Sequence, residues 1–125
     1  SNPPFYTDGF ETKNVARNKA RFASALSFEN LLEGVSKIIA DNGVFATIIP
    51  YKEEADFIKL AAKHHLFLHR VCHVRGTATA AIKRSLLEFS RYAKKPLATT
   101  LTIEISRHQY TQAYKNLTKD FYLKM

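Results

Sequence analysis

Residues 44–64 read VFATIIP (Val44–Pro50) followed at once by YKEEADFIKLAAKH (Tyr51–His64), and the change of period between the two halves decides the fold class. The first half is a short apolar run with Val, Phe and Ile that stops at a proline. It reads as a strand over about 44–49 buried on both faces, which implies a parallel sheet. The second half carries acids in its first turn and sets Phe57, Leu60, Ala61 and His64 on one face of a helix, expected from Glu53 to about His64. A strand that feeds directly into a helix is the repeating unit of α/β proteins.

Working outward, Ser27 is a good N-cap, and Phe28, Leu31, Leu32, Val35, Ile38 and Ile39 follow the spacing of one buried helical face before Asp41, Asn42 and Gly43 end the helix. Residues 1–25 read as a loop followed by a short helix beginning near Val15. On the other side, 66–75 has strand character, Gly76 to Lys83 is a loop of small residues, and 84–92 is a strand centred on Leu87 and Phe89 that can pair antiparallel with its predecessor. Leu101, Ile103 and Ile105 alternate with Thr102 and Glu104, which predicts a half-exposed strand at 101–105. Thr111 caps a last helix whose Tyr114, Leu117 and Phe121 share one side, with Tyr110 placed to staple its first turn. The order helix, strand, helix, strand, strand, strand, helix is that of the second half of a doubly wound α/β sheet with an antiparallel strand near one edge.

At 125 residues the chain has room for one domain, 1–125, and its 46% apolar and 24% charged residues fit a globular protein and exclude a disordered or low-complexity one. No apolar run approaches the roughly 20 residues of a membrane span. A single cysteine, Cys72, allows no internal disulfide, so a reducing compartment is expected, with the cytoplasm as the default. Against 11 acids stand 19 Lys and Arg, a formal charge of +8, and the basic residues cluster. Lys13, Arg17, Lys19 and Arg21 fall within an acid-free stretch, and Lys83, Arg84, Arg91, Lys94 and Lys95 form a looser second group. Both could contact a phosphate backbone, and both could equally be solvated faces of ordinary elements.

The tetrapeptide Asn2-Pro3-Pro4-Phe5 joins an amide, two ring-locked residues and an aromatic face. Pro fixes φ and removes a backbone donor, so the turn presents carbonyl groups and suits an amine ligand. The Asn2 side-chain oxygen and the Pro3 carbonyl could each accept one N–H of an exocyclic amine while Phe5 stacks on a purine. Held so, the nitrogen lone pair is withdrawn from the ring and can face an electrophilic methyl group without a strong base. A stiff structural turn is the alternative reading of the same residues.

The tetrapeptide resembles the Asn-Pro-Pro-aromatic motif of S-adenosylmethionine-dependent amino-methyltransferases, which carry it at the end of the fourth strand of a doubly wound sheet. Arg21, Leu26-Ser27-Phe28, the run Arg84-Ser85-Leu86-Leu87-Glu88-Phe89-Ser90, Tyr110, Tyr114, Leu117-Thr118 and Asp120-Phe121-Tyr122-Leu123 narrow the resemblance to the bacterial valine-tRNA adenine N(6)-methyltransferase family, from Asn2 to Met125. The C-terminal pattern is what favours this family over amino-methyltransferases of DNA or protein glutamine. The resemblance implies the C-terminal half of a Rossmann-like methyltransferase sheet, whose order would put the 84–92 strand between the 44–49 and 66–75 strands and antiparallel to them, and a target on the exocyclic amine of the adenosine at position 37 of tRNA, beside the anticodon. It also implies that Asn2, Pro3 and Phe5 act on the base, with Pro4, Tyr6, Lys13, Arg17, Lys19 and Arg21 contacting the RNA.

The family's cofactor turn is missing: Gly9, Gly34, Gly43 and Gly76 are isolated and no G-x-G exists, so the cofactor-binding half is absent and this chain alone is expected to be inactive. The first motif begins at Asn2 with no element before it, so a fragment of a longer protein is expected, its 44–49 strand left with an open apolar edge that recruits another strand or the N-terminal segment. A non-catalytic basic RNA-binding or oligomerising module is the alternative function. His65, His69 and His73 recur every four residues, but on a strand successive ones lie roughly 13 Å apart, so no shared metal is expected. Cys72 reads as a small buried hydrophobe; the aromatics Tyr110, Tyr114, Phe121 and Tyr122 could stack bases, but at helical spacing most are expected to be core.

Overall fold

A computed structural model describes residues 1–2 and 28–121. Helix α1 is described over 28–38, followed by β1 (Phe45–Pro50), a single 3-10 turn (Tyr51–Glu53), α2 (Glu54–Lys63), β2 (Phe67–Arg75), β3 (Ile82–Ser90), β4 (Leu97–Thr102), β5 (Glu104–Ser106), β6 (Gln109–Tyr110) and α3 (Gln112–Thr118). The expected order of elements holds, with a two-stranded β5-β6 hairpin added before the last helix. The Ser27 cap, the short helix near Val15, and the loop before it fall outside the described residues.

Four strands make one sheet in the order β1-β3-β2-β4. β3 lies between β1 and β2 and is antiparallel to both, as expected, and β4 runs parallel to β2 from Arg70↔Leu97 to Arg75↔Thr102. Alternate residues of β1, β2 and β3 face a single core. Phe45 and Ile49 of β1, Val71 of β2, and Leu87 and Phe89 of β3 meet Phe28 and Leu32 of α1, Phe57 and Ala61 of α2, and Leu66. Phe57 is its centre: its ring stands edge-on to Phe28 at 5.2 Å and tilted to Phe89 at 5.7 Å. The two helices therefore cover the same face of the sheet.

Three expectations need correction. β1 is not buried on both faces: Phe45, Thr47 and Ile49 are buried while Ala46 is exposed and Ile48 half-buried, and its strand partner in this sheet is antiparallel, so its apolar run reports one buried face and one partly covered face. The last sheet strand lies at 97–102, not 101–105. Leu97, Ala98, Thr99 and Thr100 are all exposed, so this edge strand has no apolar alternation to detect, and Ile105, expected inside, is 71% exposed in the hairpin. Ile38 lies on the last turn of α1 beyond the sheet and is 84% exposed.

Helix ends follow local chemistry. α2 stops in a Schellman arrangement, in which Leu66 N–H donates to Ala61 O at 3.0 Å and His65 N–H to Ala62 O at 3.0 Å. This puts His65 at φ 60°, the left-handed position where glycine is usual. After α1, Gly43 N–H donates to Ala40 O at 2.9 Å, and a side chain there would meet Ile39 Cγ1 at 2.9 Å, so the turn requires glycine. Thr111 caps α3 as expected, accepting from Tyr114 N–H at 3.1 Å, and the Tyr110 and Tyr114 rings pack at 5.3 Å.

Candidate functional site

β1 and β2 both oppose β3, and β4 parallels β2, so the carboxyl ends of β1, β2 and β4 gather on one rim. In open α/β sheets ligands sit outside that rim. The chain start is bound beside it. The Ser1 amino group donates to Ala46 O at 2.6 Å and Ile48 N–H donates to Ser1 O at 3.0 Å, the pattern of a parallel bridge opposite Thr47. Ser1 thus occupies the outer edge of β1, and the exposed Asn2 follows it in the direction of the carboxyl rim. Pro3, Pro4, Phe5, Tyr6, Lys13, Arg17, Lys19 and Arg21 lie outside the described residues, so their expected roles remain expectations.

At the rim itself, a three-part clamp fixes the turn that leaves β1. His73 of β2 and Ser85 of β3 are cross-strand neighbours on the core face, and Glu54, at the start of α2, reaches both. Its Oε1 accepts from His73 Nε2 at 2.6 Å and from Ser85 Oγ at 2.8 Å. Tyr51 stands edge-on to the His73 ring at 5.2 Å. Ser85 is fully buried, whereas the His73 and Glu54 side chains keep about a fifth of their surface exposed (22% and 20%). Beside this clamp opens a cleft of about 360 Å³ lined by Pro50, Tyr51, Lys52, Ile82, Lys83 and Arg84. Tyr51 and Lys52 escaped the sequence reading because they sit singly between a strand and a helix; the signal was their place immediately after the strand-ending Pro50.

The second basic group does not come together. Lys83 and Arg84 open β3 at the rim, while Arg91, Lys94 and Lys95 follow its far end. Arg91 is committed to structure, since Nη2 donates to Ser36 O at 2.8 Å and to Ile39 O at 2.7 Å and Nε to Ile39 O at 3.1 Å, closing the carbonyl end of α1.

The histidines also part. His65 lies in the turn before β2, not on the strand, His73 belongs to the clamp, and His69 donates through Nε2 to Tyr92 O at 2.9 Å while contacting Ser90 Oγ. Among the described residues no group of three metal-binding side chains assembles. Cys72 is half-buried on the sheet face opposite the two helices, near Ala46, Ile48 and Leu86, which form one wall of a shallow hollow there. Phe121, one of the aromatics of which most were expected in the core, is exposed, as is Leu117. Tyr122 lies outside the described residues.

No family model matches the chain. Curated relatives do, from end to end. It is 42% identical over 125 residues to the tRNA1(Val) (adenine(37)-N6)-methyltransferase of Christiangramia forsetii, covering all of this chain and 52% of that protein. Proteins of the same name match at 46% over 126 residues in Flavobacterium johnsoniae, with 54% of that protein covered, and at 38% over 125 residues in Bacteroides fragilis, with 53% covered. The chain is homologous to a portion of these tRNA adenine methyltransferases. It spans about half the length of the curated relatives it matches. Among the described residues no helix is long and apolar enough to cross a membrane.

Proposed function

We propose that this chain is the C-terminal, substrate-facing half of a Rossmann-like methyltransferase that modifies the exocyclic amine of adenosine 37 in a tRNA. The observation that supports the reading is the Ser1 bridge on the outer edge of β1: Ser1 pairs parallel to β1, so Asn2, the first residue of the motif, follows it in the direction of the carboxyl rim, where an α/β sheet receives ligands. In this reading the Asn2 amide oxygen and the Pro3 carbonyl accept the two amine hydrogens, Phe5 stacks on the base, and Pro4 and Tyr6 flank it. Lys13, Arg17, Lys19 and Arg21 contact the RNA backbone. A base next to the anticodon has to be splayed out to reach the turn, at a cost of about a few kcal/mol that aromatic stacking offsets.

Nothing among the described residues fits S-adenosylmethionine. Gly34 lies within α1, Gly43 in the turn after it, and Gly76 follows β2 alone, so no strand is followed by a glycine-rich cradle. We therefore assign the cofactor to the half of the relatives' length that this chain does not span, and the compartment to the cytoplasm, where tRNA is modified.

The test is Asn2→Ala in the protein that joins this chain to its cofactor half. Losing a hydrogen-bond acceptor that works at the reacting centre should lower kcat by roughly 100-fold or more while KM for tRNA stays within about threefold. An unchanged kcat removes Asn2, and with it this reading of the motif.

A further inference from the structure

We infer that the cleft lined by Tyr51, Lys52, Lys83 and Arg84 binds the single-stranded RNA that flanks the target base. The inference rests on the tRNA-methyltransferase reading for the choice of RNA and goes beyond it in naming a second contact surface. Among the described residues that line the cleft, three side chains are cationic, one is aromatic, and none is acidic. The two carboxylates that follow Lys52 in sequence, Glu53 and Glu54, are not among the cleft's described lining residues, and Glu54 Oε1 is turned to His73 and Ser85. Among the described residues neither Lys83 nor Arg84 is held in an ion pair, and both side chains are exposed. Arg84 Nη1 donates to the Lys83 carbonyl at 3.2 Å, which lays the guanidinium back along the strand and leaves its other N–H groups for an outside acceptor.

Tyr51 supplies what phosphate contact alone lacks. One edge of its environment is the His73 ring, and 42% of the residue remains exposed at the mouth of the cleft, so a base can stack there. Cations that track a backbone next to an exposed aromatic ring form the usual surface for single-stranded nucleic acid. Duplex RNA would offer no free base to Tyr51. The position agrees with this use. The cleft begins at Pro50, three residues along β1 from Thr47, beside which Ser1 is bound, a distance of about 10 Å on a strand. Nucleotides neighbouring a base at the Asn2 turn would pass within that reach.

The experiment measures binding of this chain to a radiolabelled anticodon stem-loop RNA by filter retention across a series of salt concentrations. Three forms are compared: wild type, Lys83→Gln/Arg84→Gln, and Lys94→Gln/Lys95→Gln. The last pair removes the same charge at the opposite end of β3. Losing two phosphate contacts should flatten the slope of log affinity against log salt by about 1.4 to 1.8. Wild-type slope is expected in the Lys94/Lys95 variant. Tyr51→Ala should weaken binding by roughly fivefold or more at every salt concentration with an unchanged slope. The inference is overturned if wild type fails to bind the RNA, if the Lys83/Arg84 variant keeps the wild-type slope, or if both double variants lose slope equally, which would report net charge alone. Methyl transfer is not the readout, so the two ideas fail separately. Loss of the Asn2 reading with these slopes intact leaves an RNA-binding cleft, and unchanged slopes with an Asn2-dependent kcat leave the enzyme without it.

Discussion

Replacing Glu54 with alanine should cost about 2 to 3 kcal/mol of stability, and the structure says where the loss arises. Ser85 Oγ is fully buried and its described hydrogen bond goes to Glu54 Oε1, 2.8 Å away. A buried hydroxyl left without a partner costs about 1 to 3 kcal/mol, and a hydrogen bond to a carboxylate sits near the upper part of the range for such bonds. His73, 2.6 Å from the same oxygen, keeps 22% of its side chain exposed and can turn to water, so its share should be below about 1 kcal/mol. Glu54→Gln retains an acceptor for Ser85 and should cost about 1 kcal/mol or less. Ser85→Ala removes the hydroxyl itself, so Glu54→Ala should be milder in that background, with a coupling of roughly 1 to 2 kcal/mol between the two positions. Urea unfolding followed by far-ultraviolet circular dichroism on the four proteins gives the cycle, and Glu54→Ala should lower Tm by about 10 °C. A loss under 0.5 kcal/mol for Glu54→Ala, or equal losses for the Gln and Ala variants, would refute the clamp.

His65 holds a left-handed φ that costs a side-chain-bearing residue about 1 kcal/mol or more, so His65→Gly should raise stability by roughly 0.5 to 1 kcal/mol in the same unfolding assay despite the greater chain entropy of glycine; a destabilised variant would mean that the His65 side chain contributes contacts outweighing the backbone strain. We also propose that this chain by itself associates through the outer edge of β1, where Ser1 forms a one-residue bridge beside a six-residue strand. Sedimentation equilibrium should then show a concentration-dependent dimer, and a monomer throughout the micromolar range would count against an edge that recruits strands.

How much of the fold was legible depended on whether burial left a periodic mark. Phe57 and Ala61, four apart, and Leu87 and Phe89, two apart, each report their element because one side of it is fully enclosed. The sequence reading placed α2 within a residue at each end, and the antiparallel insertion of β3 followed from the family resemblance. β4 left no such mark. It is tied in through backbone pairing to β2, with side chains mostly in solvent, and backbone hydrogen bonds leave no trace in residue type. Ile103 and Ile105 then gave a false alternation: Ile103 N–H donates to Arg75 O at 3.0 Å, while Ile105 belongs to the separate hairpin. The clamp was invisible for a related reason, since Glu54, His73 and Ser85 are distant in sequence and each is an ordinary residue in its own element.

The basic residues show why charge clustering along a sequence is a weak guide to a site on a sheet. Arg84 and Arg91 are seven positions apart, which on a strand is about 23 Å, enough to place them on opposite rims. Which of the two reaches the carboxyl rim is decided by strand direction alone. Because β3 runs against β1 and β2, its first residues, not its last, come to the carboxyl rim, and Lys83 and Arg84 arrive beside the turn that carries Tyr51 and Lys52. Had β3 been parallel, Arg91, Lys94 and Lys95 would stand there and Lys83 with Arg84 would lie at the amino end. The antiparallel strand therefore does more than complete the sheet. It delivers the start of a strand to a rim otherwise made of strand ends, and the clamp from Glu54 to His73 and Ser85 then holds that start against the turn leaving β1.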